Sequence, residues 1–171
     1  MTVEEIFKDI SAHMIKGLMV HSQLADYYRF LGLRKYAKFH EKQYEEESCN
    51  WRTLSRYYIE HYNKLIEEQR IDDPEIIPSD WFNYSRQDVD IMTKRRAVEN
   101  GLQVWIDWEK GTKHMYEKMY SELMGLGRIA TAVFLSQFIC GVDDELSRAY
   151  EYHLYKKTVD YDMEHIVSEQ Y

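Results

Sequence analysis

Three glutamates, Glu47, Glu109 and Glu145, stand on helical stripes of mostly apolar residues. Each stripe repeats at steps of three and four, the spacing that brings side chains onto one face of an α-helix. A carboxylate on such a face is buried with its apolar neighbours, and burying an unpaired charge is costly. We therefore expect each of the three carboxylates to face the protein interior, where its charge must be neutralised by an ion or by a cationic side chain.

A histidine, His21, stands on the stripe of an earlier segment. That stripe consists of Ile6, Ile10, Met14, Gly17, His21, Leu24, Tyr28 and Leu31. The stripe that carries Glu47 is polar in its middle, where Gln43, Glu47 and Asn50 follow one another between aromatic and apolar residues. The sequence thus predicts polar side chains halfway along helices that are otherwise apolar on one face.

These side chains belong to four predicted helices in a single domain spanning residues 1–171. The helices cover about 3–31, 33–69, 86–124 and 128–157, and a C-terminal extension covers 158–171. Thr2 and Glu5 predict a capping box at the first helix, and Ser85 and Asp88 predict an N-terminal cap at the third. Gly32 and the Gly125–Gly127 segment separate the helices within each predicted pair.

The lengths of the connections favour one topology. The first and third connections contain only a few residues, which makes the helices that they join antiparallel neighbours. The middle connector has about 15 residues and can extend over roughly 50 Å. The second helix, at about 36 residues, is about 54 Å long. The connector can therefore run along most of the bundle, and we expect two antiparallel hairpins joined by one crossover.

The composition excludes several classes of protein. Only 7 Gly and 2 Pro disfavour a turn-rich all-β fold, and the formal net charge of −8 provides no basic face for nucleic acid. No apolar run is long enough to span a membrane. The two cysteines, Cys49 and Cys140, have no metal-binding spacing. We expect both to be buried free thiols in a cytoplasmic protein.

The order of these features resembles the ferritin-like superfamily along most of the chain. Tyr27-Tyr28, Tyr36-Ala37-Lys38 and Glu46-Glu47 resemble the first hairpin of ferritin, and Trp108-Glu109-Lys110 resembles its third helix. Residues 138–145 resemble the part of the fourth helix that carries acidic or amide ligands. The resemblance implies an all-α ferritin-like four-helix bundle and a homo-oligomer.

The resemblance also implies a metal site. In such bundles a Glu from each of two helices and a Glu-x-x-His pair from each of the others bind two metal ions in the core. Carried over to this chain, the second helix provides Glu47, with Asn50 at the histidine position, and the third provides Glu109. The fourth helix provides Asp144 and Glu145.

The first helix departs from this pattern. Its expected glutamate falls near Ile15, and no carboxylate lies within a helical turn of that position. His13 and His21 are the nearest residues that could replace it. The ligand set implied by the resemblance is therefore incomplete.

Two hypotheses follow from this incomplete set. In the first, Glu47, Glu109 and Glu145, with His21 or Asn50, bind iron in a protein that oxidises Fe(II), as a ferroxidase does, or stores iron. In the second, the bundle is a structural or interaction module without metal or catalysis, and Arg148 or Lys16 neutralises the carboxylates.

A further resemblance concerns His40. The segment Phe39-His40-Glu41 resembles the helix-two motif of the Dps mini-ferritins, which build metal sites between subunits. The acidic partners expected some four turns later are absent from residues 54–58.

Overall fold

The computed structural model describes residues 1–67 and 70–158. It contains four long helices: α1 (Val3–Phe30), α2 (Arg34–Tyr62), α3 (Ile91–Gly125) and α4 (Ile129–Thr158). Two short 3-10 turns, Ser79–Asn83 and Arg86–Asp88, lie in the connector between α2 and α3. No strand occurs among the described residues. The prediction of an all-α four-helix bundle is confirmed.

The beginning of α1 follows the predicted local chemistry. The Thr2 hydroxyl accepts a hydrogen bond from the Glu5 amide, and the Glu5 carboxylate accepts one from the Thr2 amide. This reciprocal arrangement satisfies two backbone donors that the first helical turn leaves without an intrahelical partner. At the other end, Gly32 adopts φ +80, a left-handed conformation that glycine tolerates best. Gly32 thereby ends α1 and allows the tight reversal into α2.

The predicted bounds of two helices are wrong. α2 ends at Tyr62 rather than near residue 69, because Asn63 takes a left-handed conformation with φ 54 at the C-cap. α3 begins at Ile91 rather than at residue 86. The predicted Ser85–Asp88 cap is present, but it closes a 3-10 turn, and Asp90 caps α3 itself. The connector therefore extends over residues 63–90.

Two apolar clusters establish the topology. The first core, built around Leu24, Trp105 and Ala149, combines the C-terminal parts of α1 and α4 with the N-terminal parts of α2 and α3. The second core, built around Ile10 and Leu135, combines the opposite ends of the same helices. α2 is therefore antiparallel to α1 and parallel to α3. This arrangement requires the connector to run the length of the bundle, as the predicted crossover does.

Both cysteines are free and exposed, so the prediction that they are buried is wrong. Cys49 and Cys140 lie on the outer faces of α2 and α4, one step away from the apolar stripes. No helix in the described part of the chain combines the length and the apolar character that crossing a membrane requires. The predicted C-terminal extension lies outside the described residues, apart from Thr158, which is the last residue of α4.

Candidate metal centre

A layer of polar side chains separates the first core from the second core. It lies halfway along the bundle, and every helix contributes to it. The buried polar residues of this region are His21 of α1, His40 and Gln43 of α2, and Glu109 and Thr112 of α3. Glu145 of α4 is partly buried at the same depth. The polar middle of the helical stripes thus becomes a polar centre of the bundle.

Three of these side chains form a compact group. One ligand atom each of His21, Glu109 and Glu145 lies within 4.8 Å of the other two. His21 and Glu109 are 0% and 2% exposed, and His21 Nε2 is 3.7 Å from Glu109 Oε1. An imidazole nitrogen and two carboxylate oxygens at this separation are within reach of a single divalent ion after small side-chain movements.

Glu47 lies beside this group on α2. Burial is the main cause that raises the pKa values of Glu109 and Tyr116, and the charge of Glu47 raises both further. After burial, the charge of Glu145 raises the pKa of Glu47 in turn. Asn50, one turn further along α2, partly offsets the burial that raises the pKa of Glu47. Glu47 is therefore a near neighbour of the three-residue group, and Asn50 is in turn a neighbour of Glu47.

α1 meets Glu47 at a glycine. A Cβ atom on Gly17 would lie 3.8 Å from Glu47 Oε2 and 3.3 Å from Trp108 Cζ2. The α1 residue that faces Glu47 is therefore Gly17, not Ile15, which lines a surface groove with Ser22 and Tyr44. A glycine has no ligand to offer, so His21, one turn further along α1, is the α1 side chain that reaches the carboxylates.

Asp144 does not join the group. Asp144 is the α4 residue directly before Glu145. Consecutive side chains of a helix point about 100° apart, so Asp144 is exposed although Glu145 faces the interior. Arg148 is also exposed, and its charge only partly offsets the burial that raises the pKa of Glu145. Within residues 1–67 and 70–158, no lysine or arginine forms an ion pair with Glu47, Glu109 or Glu145.

Burial governs the protonation of the carboxyl groups. It is the largest cause that raises the pKa of Glu47 to about 8 and that of Glu145 to about 7. Burial, followed by the neighbouring Glu145 and Glu47, places the pKa of Glu109 well above its ordinary range. Desolvation also lowers the pKa of His21 to about 4. Near neutral pH the metal-free group therefore retains protons on its carboxyl groups and a neutral imidazole.

Two polar atoms of the group have no hydrogen-bond partner among the described residues: His21 Nε2 and Glu145 Oε2. Buried polar atoms in folded proteins are nearly always satisfied by protein, water or an ion. The two orphaned atoms belong to the same three-residue group, and both are chemically suited to bind a cation. The donor set therefore fits a divalent metal ion.

The sequence alone did not identify two residues that contact the group. Trp105 Nε1–H donates a 3.1 Å hydrogen bond to Glu109 Oε1. His40 is 1% exposed and places its Nδ1 3.1 Å from His21 Nδ1. It thus lies inside the bundle, whereas the Dps resemblance implies a position between subunits. Their spacing could have indicated both positions. Trp105 is four residues before Glu109 and His40 is seven before Glu47, so each lies on the same helical face as the glutamate.

Comparisons with known proteins identify the fold. No family model and no curated protein matches the sequence. Solved structures do match: apo-ferritin from Pseudo-nitzschia multiseries has a TM-score of 0.79 at 11% identity, covering 98% of this chain and 95% of that chain. An open-pore ferritin from the archaeon Archaeoglobus fulgidus has a TM-score of 0.79 at 14% identity, covering 98% and 92%.

An iron-soaked variant of PmFTN is similarly close, with a TM-score of 0.80 at 12% identity over 98% of this chain and 95% of that chain. These similarities extend over nearly the whole of both chains. At such low identities they define the architecture and leave the ligand set to be argued from the side chains. The chain has the ferritin-like fold.

Proposed function

We propose that this protein binds one Fe(II) ion per chain at His21, Glu109 and Glu145, with Glu47 beside the ion, and that it handles iron as a homo-oligomer. The observation that carries the proposal is the pair of unpartnered atoms, His21 Nε2 and Glu145 Oε2, on two side chains that converge on the buried carboxyl group of Glu109. A bound cation would satisfy both atoms and neutralise the buried carboxylates.

The choice of iron rests on the donor set together with the fold. A site that combines imidazole with carboxylate ligands suits Fe(II), and also Zn(II) and Mn(II). Ca²⁺ and Mg²⁺ prefer sites in which every ligand is an oxygen atom. One of the structures with the same fold is a variant soaked in iron. Iron is the substrate in this proposal. The site that holds it has one histidine and no carboxylate from α1, which favours a single ion over a pair.

Exposed apolar side chains on two helices support the homo-oligomer. Ile59 of α2 and Val133 of α4 are 42% and 60% exposed, and Ile129 of α4 is also 60% exposed. Burial of such side chains against another copy would remove apolar surface from water. The native mass of the purified protein, measured by mass spectrometry, tests this part of the proposal, and a monomeric mass would contradict it.

The binding experiment is an anaerobic Fe(II) titration by isothermal calorimetry. The wild type is expected to bind one ion per chain, and Glu109→Gln and Glu145→Gln are each expected to abolish measurable binding. Asp144→Asn is the matched control, because Asp144 is next to Glu145 on α4 but exposed. The proposed site would be contradicted if Asp144→Asn weakened Fe(II) binding as much as the two glutamate substitutions do. It would also be contradicted if the wild type bound no Fe(II).

The second candidate function is a metal-free structural module. The observation that favours it is the raised pKa of all three carboxyl groups, which lets protons take the place of an ion at neutral pH. The Fe(II) titration separates the two functions, since a structural module binds no ion. Oxygen consumption on addition of Fe(II) then separates oxidation of iron from binding alone.

A further inference from the structure

His40 occupies a position behind the candidate metal ligand His21. It is 1% exposed and is enclosed by aromatic rings, with ring centroids 5.5 Å from Tyr28 and 5.3 Å from Trp105. Its Nδ1 atom is 3.1 Å from Nδ1 of His21, so the two imidazoles share a hydrogen bond. His21 therefore contacts His40 through one ring nitrogen and presents the other, Nε2, to Glu109 and Glu145.

The hydrogen bond between the two rings restricts which ring nitrogens carry hydrogen atoms. The two Nδ1 atoms are 3.1 Å apart, and both rings are buried away from water. A neutral imidazole carries one N–H and one nitrogen lone pair. Two Nδ1 atoms at hydrogen-bonding distance therefore need one hydrogen between them, and it belongs either to His21 or to His40.

The two arrangements differ in what His21 presents to the carboxylates. If the shared hydrogen belongs to His40, His21 carries its own hydrogen on Nε2, which then points toward Glu109 Oε1 at 3.7 Å and cannot bind a cation. If the hydrogen belongs to His21 Nδ1, the lone pair of His40 Nδ1 accepts it. Nε2 of His21 is then free of hydrogen and can bind a metal ion.

We propose that His40 is the positioning residue that makes His21 a metal ligand, by accepting a hydrogen bond from His21 Nδ1–H. This inference rests on the proposed function, because it concerns the same metal centre. His40 holds the ring of His21 in place and selects the tautomer whose Nε2 lone pair faces Glu109 and Glu145. Hydrogen-bond partners of metal-binding histidines typically change metal affinity by about 10–100-fold when they are removed.

A matched pair of variants separates this role from packing. His40→Phe keeps an aromatic ring against Tyr28 and Trp105 but has no acceptor for His21 Nδ1–H. His40→Asn loses the ring but offers its side-chain oxygen near the place of Nδ1. If His40 only fills space, the phenylalanine variant binds metal as the wild type does. If His40 acts through the hydrogen bond, the asparagine variant is the one that retains binding.

The test uses Zn(II) alone, a redox-inert probe, titrated into the full-length chain at pH 7. We expect the dissociation constant to rise about 10–100-fold in His40→Phe and to change much less in His40→Asn. Unchanged affinity in His40→Phe overturns the inference and leaves the proposed function intact. If the wild type binds neither Zn(II) nor Fe(II), both the function and the inference fail.

A second measurement needs no variant, so it remains decisive if His40→Phe does not fold. Nitrogen-15 NMR of histidine-labelled wild type distinguishes the hydrogen-bearing ring nitrogen from the bare one. On addition of Zn(II), we expect His21 to carry its hydrogen on Nδ1 and His40 to carry its hydrogen on Nε2. A zinc-bound His21 without a hydrogen on Nδ1 would overturn the role assigned to His40.

Discussion

The phenol ring of Tyr28 lies directly against the backbone of Gly101, where α1 and α3 approach each other. A Cβ atom added to Gly101 would lie 2.8 Å from Tyr28 Cζ, closer than Cβ contacts in folded proteins. Tyr28 is fully buried and also stacks on His40, so its ring cannot move aside easily. The absence of a side chain at residue 101 therefore determines how closely α3 approaches the first hairpin.

Gly101→Ala is expected to lower the free energy of unfolding by about 1–3 kcal/mol, because the added methyl group overpacks a rigid region. Gly111→Ala is the matched control on the same helix. Nothing lies within 4 Å of a Cβ atom there, so alanine should stabilise α3 by up to about 1 kcal/mol. Urea unfolding followed by circular dichroism measures both changes. Equal effects of the two substitutions would contradict the close approach of Tyr28.

The stability of the metal-free protein should fall as the pH rises above neutrality. Folding raises the pKa of Glu47 from 4.5 to about 8, mainly through burial. A group with a raised pKa contributes stability that is fully present below pH 4.5 and is lost as the pH rises through about 8. Glu47→Gln should therefore stabilise the protein by roughly 1–3 kcal/mol at pH 9 and have little effect at pH 5.

Urea unfolding in the presence of a chelator, at pH 5 and pH 9, tests this prediction. Glu60→Gln provides the comparison, because Glu60 is on the same helix but exposed. If Glu47→Gln raised the free energy of unfolding equally at both pH values, the pKa of Glu47 would not be raised by burial. At acid pH a separate loss is expected, since the pKa of His21 is lowered from 6.5 to about 4 and stability falls as the pH decreases through that range.

Metal affinity should increase from pH 6 to pH 8. A cation can bind the two ligand carboxylates only after it displaces the protons that burial holds on them, because burial raises the pKa of Glu145 to about 7 and that of Glu109 well above its ordinary range. Calorimetric Zn(II) titrations in buffers with different ionisation enthalpies should detect about one to two protons released per ion at pH 7. Binding without proton release would place the ion elsewhere on the protein.

Tryptophan fluorescence should report metal binding. Trp105 donates its indole hydrogen to Glu109, so a paramagnetic ion on Glu109 lies close to the indole ring. We expect Co(II) to quench the fluorescence with saturation at one ion per chain. Trp105→Phe should lose more of this quenching than Trp81→Phe, because Trp81 lies in the connector, where it packs on Tyr27 and Phe30 and makes no hydrogen bond to Glu109. Identical quenching in the two variants would contradict binding at Glu109.

The helical stripes predicted the long helices and the faces that they bury, and the resemblance to the ferritin-like superfamily implied how these helices combine. Each stripe carries its polar residue near the middle of its helix, so packing of the helices side by side brings these residues to the same depth in the bundle. Glu109 and His21 are buried at the same level for this reason. The lengths of the connections predicted the crossover, since a short connection between α2 and α3 could not have reached the opposite end of the bundle.

Local details depended on geometry that the stripes do not contain. α2 ends at Asn63 through a left-handed backbone conformation, which the polar sequence after it did not indicate. Gly17 rather than Ile15 faces Glu47, and the indole ring of Trp108 lies against the same glycine. The pairing of His40 with His21 joins residues of two helices, and no spacing within one helix could predict it.

The crossover divides the site between the two halves of the chain. His21 and Glu47 come from the α1–α2 hairpin, whereas Glu109 and Glu145 come from the α3–α4 hairpin. Each hairpin can form from residues that are near in sequence, but neither one contains the complete donor set. Under the proposed function, metal capture would therefore be a late event in folding, and a bound ion would act as a crosslink that opposes separation of the hairpins.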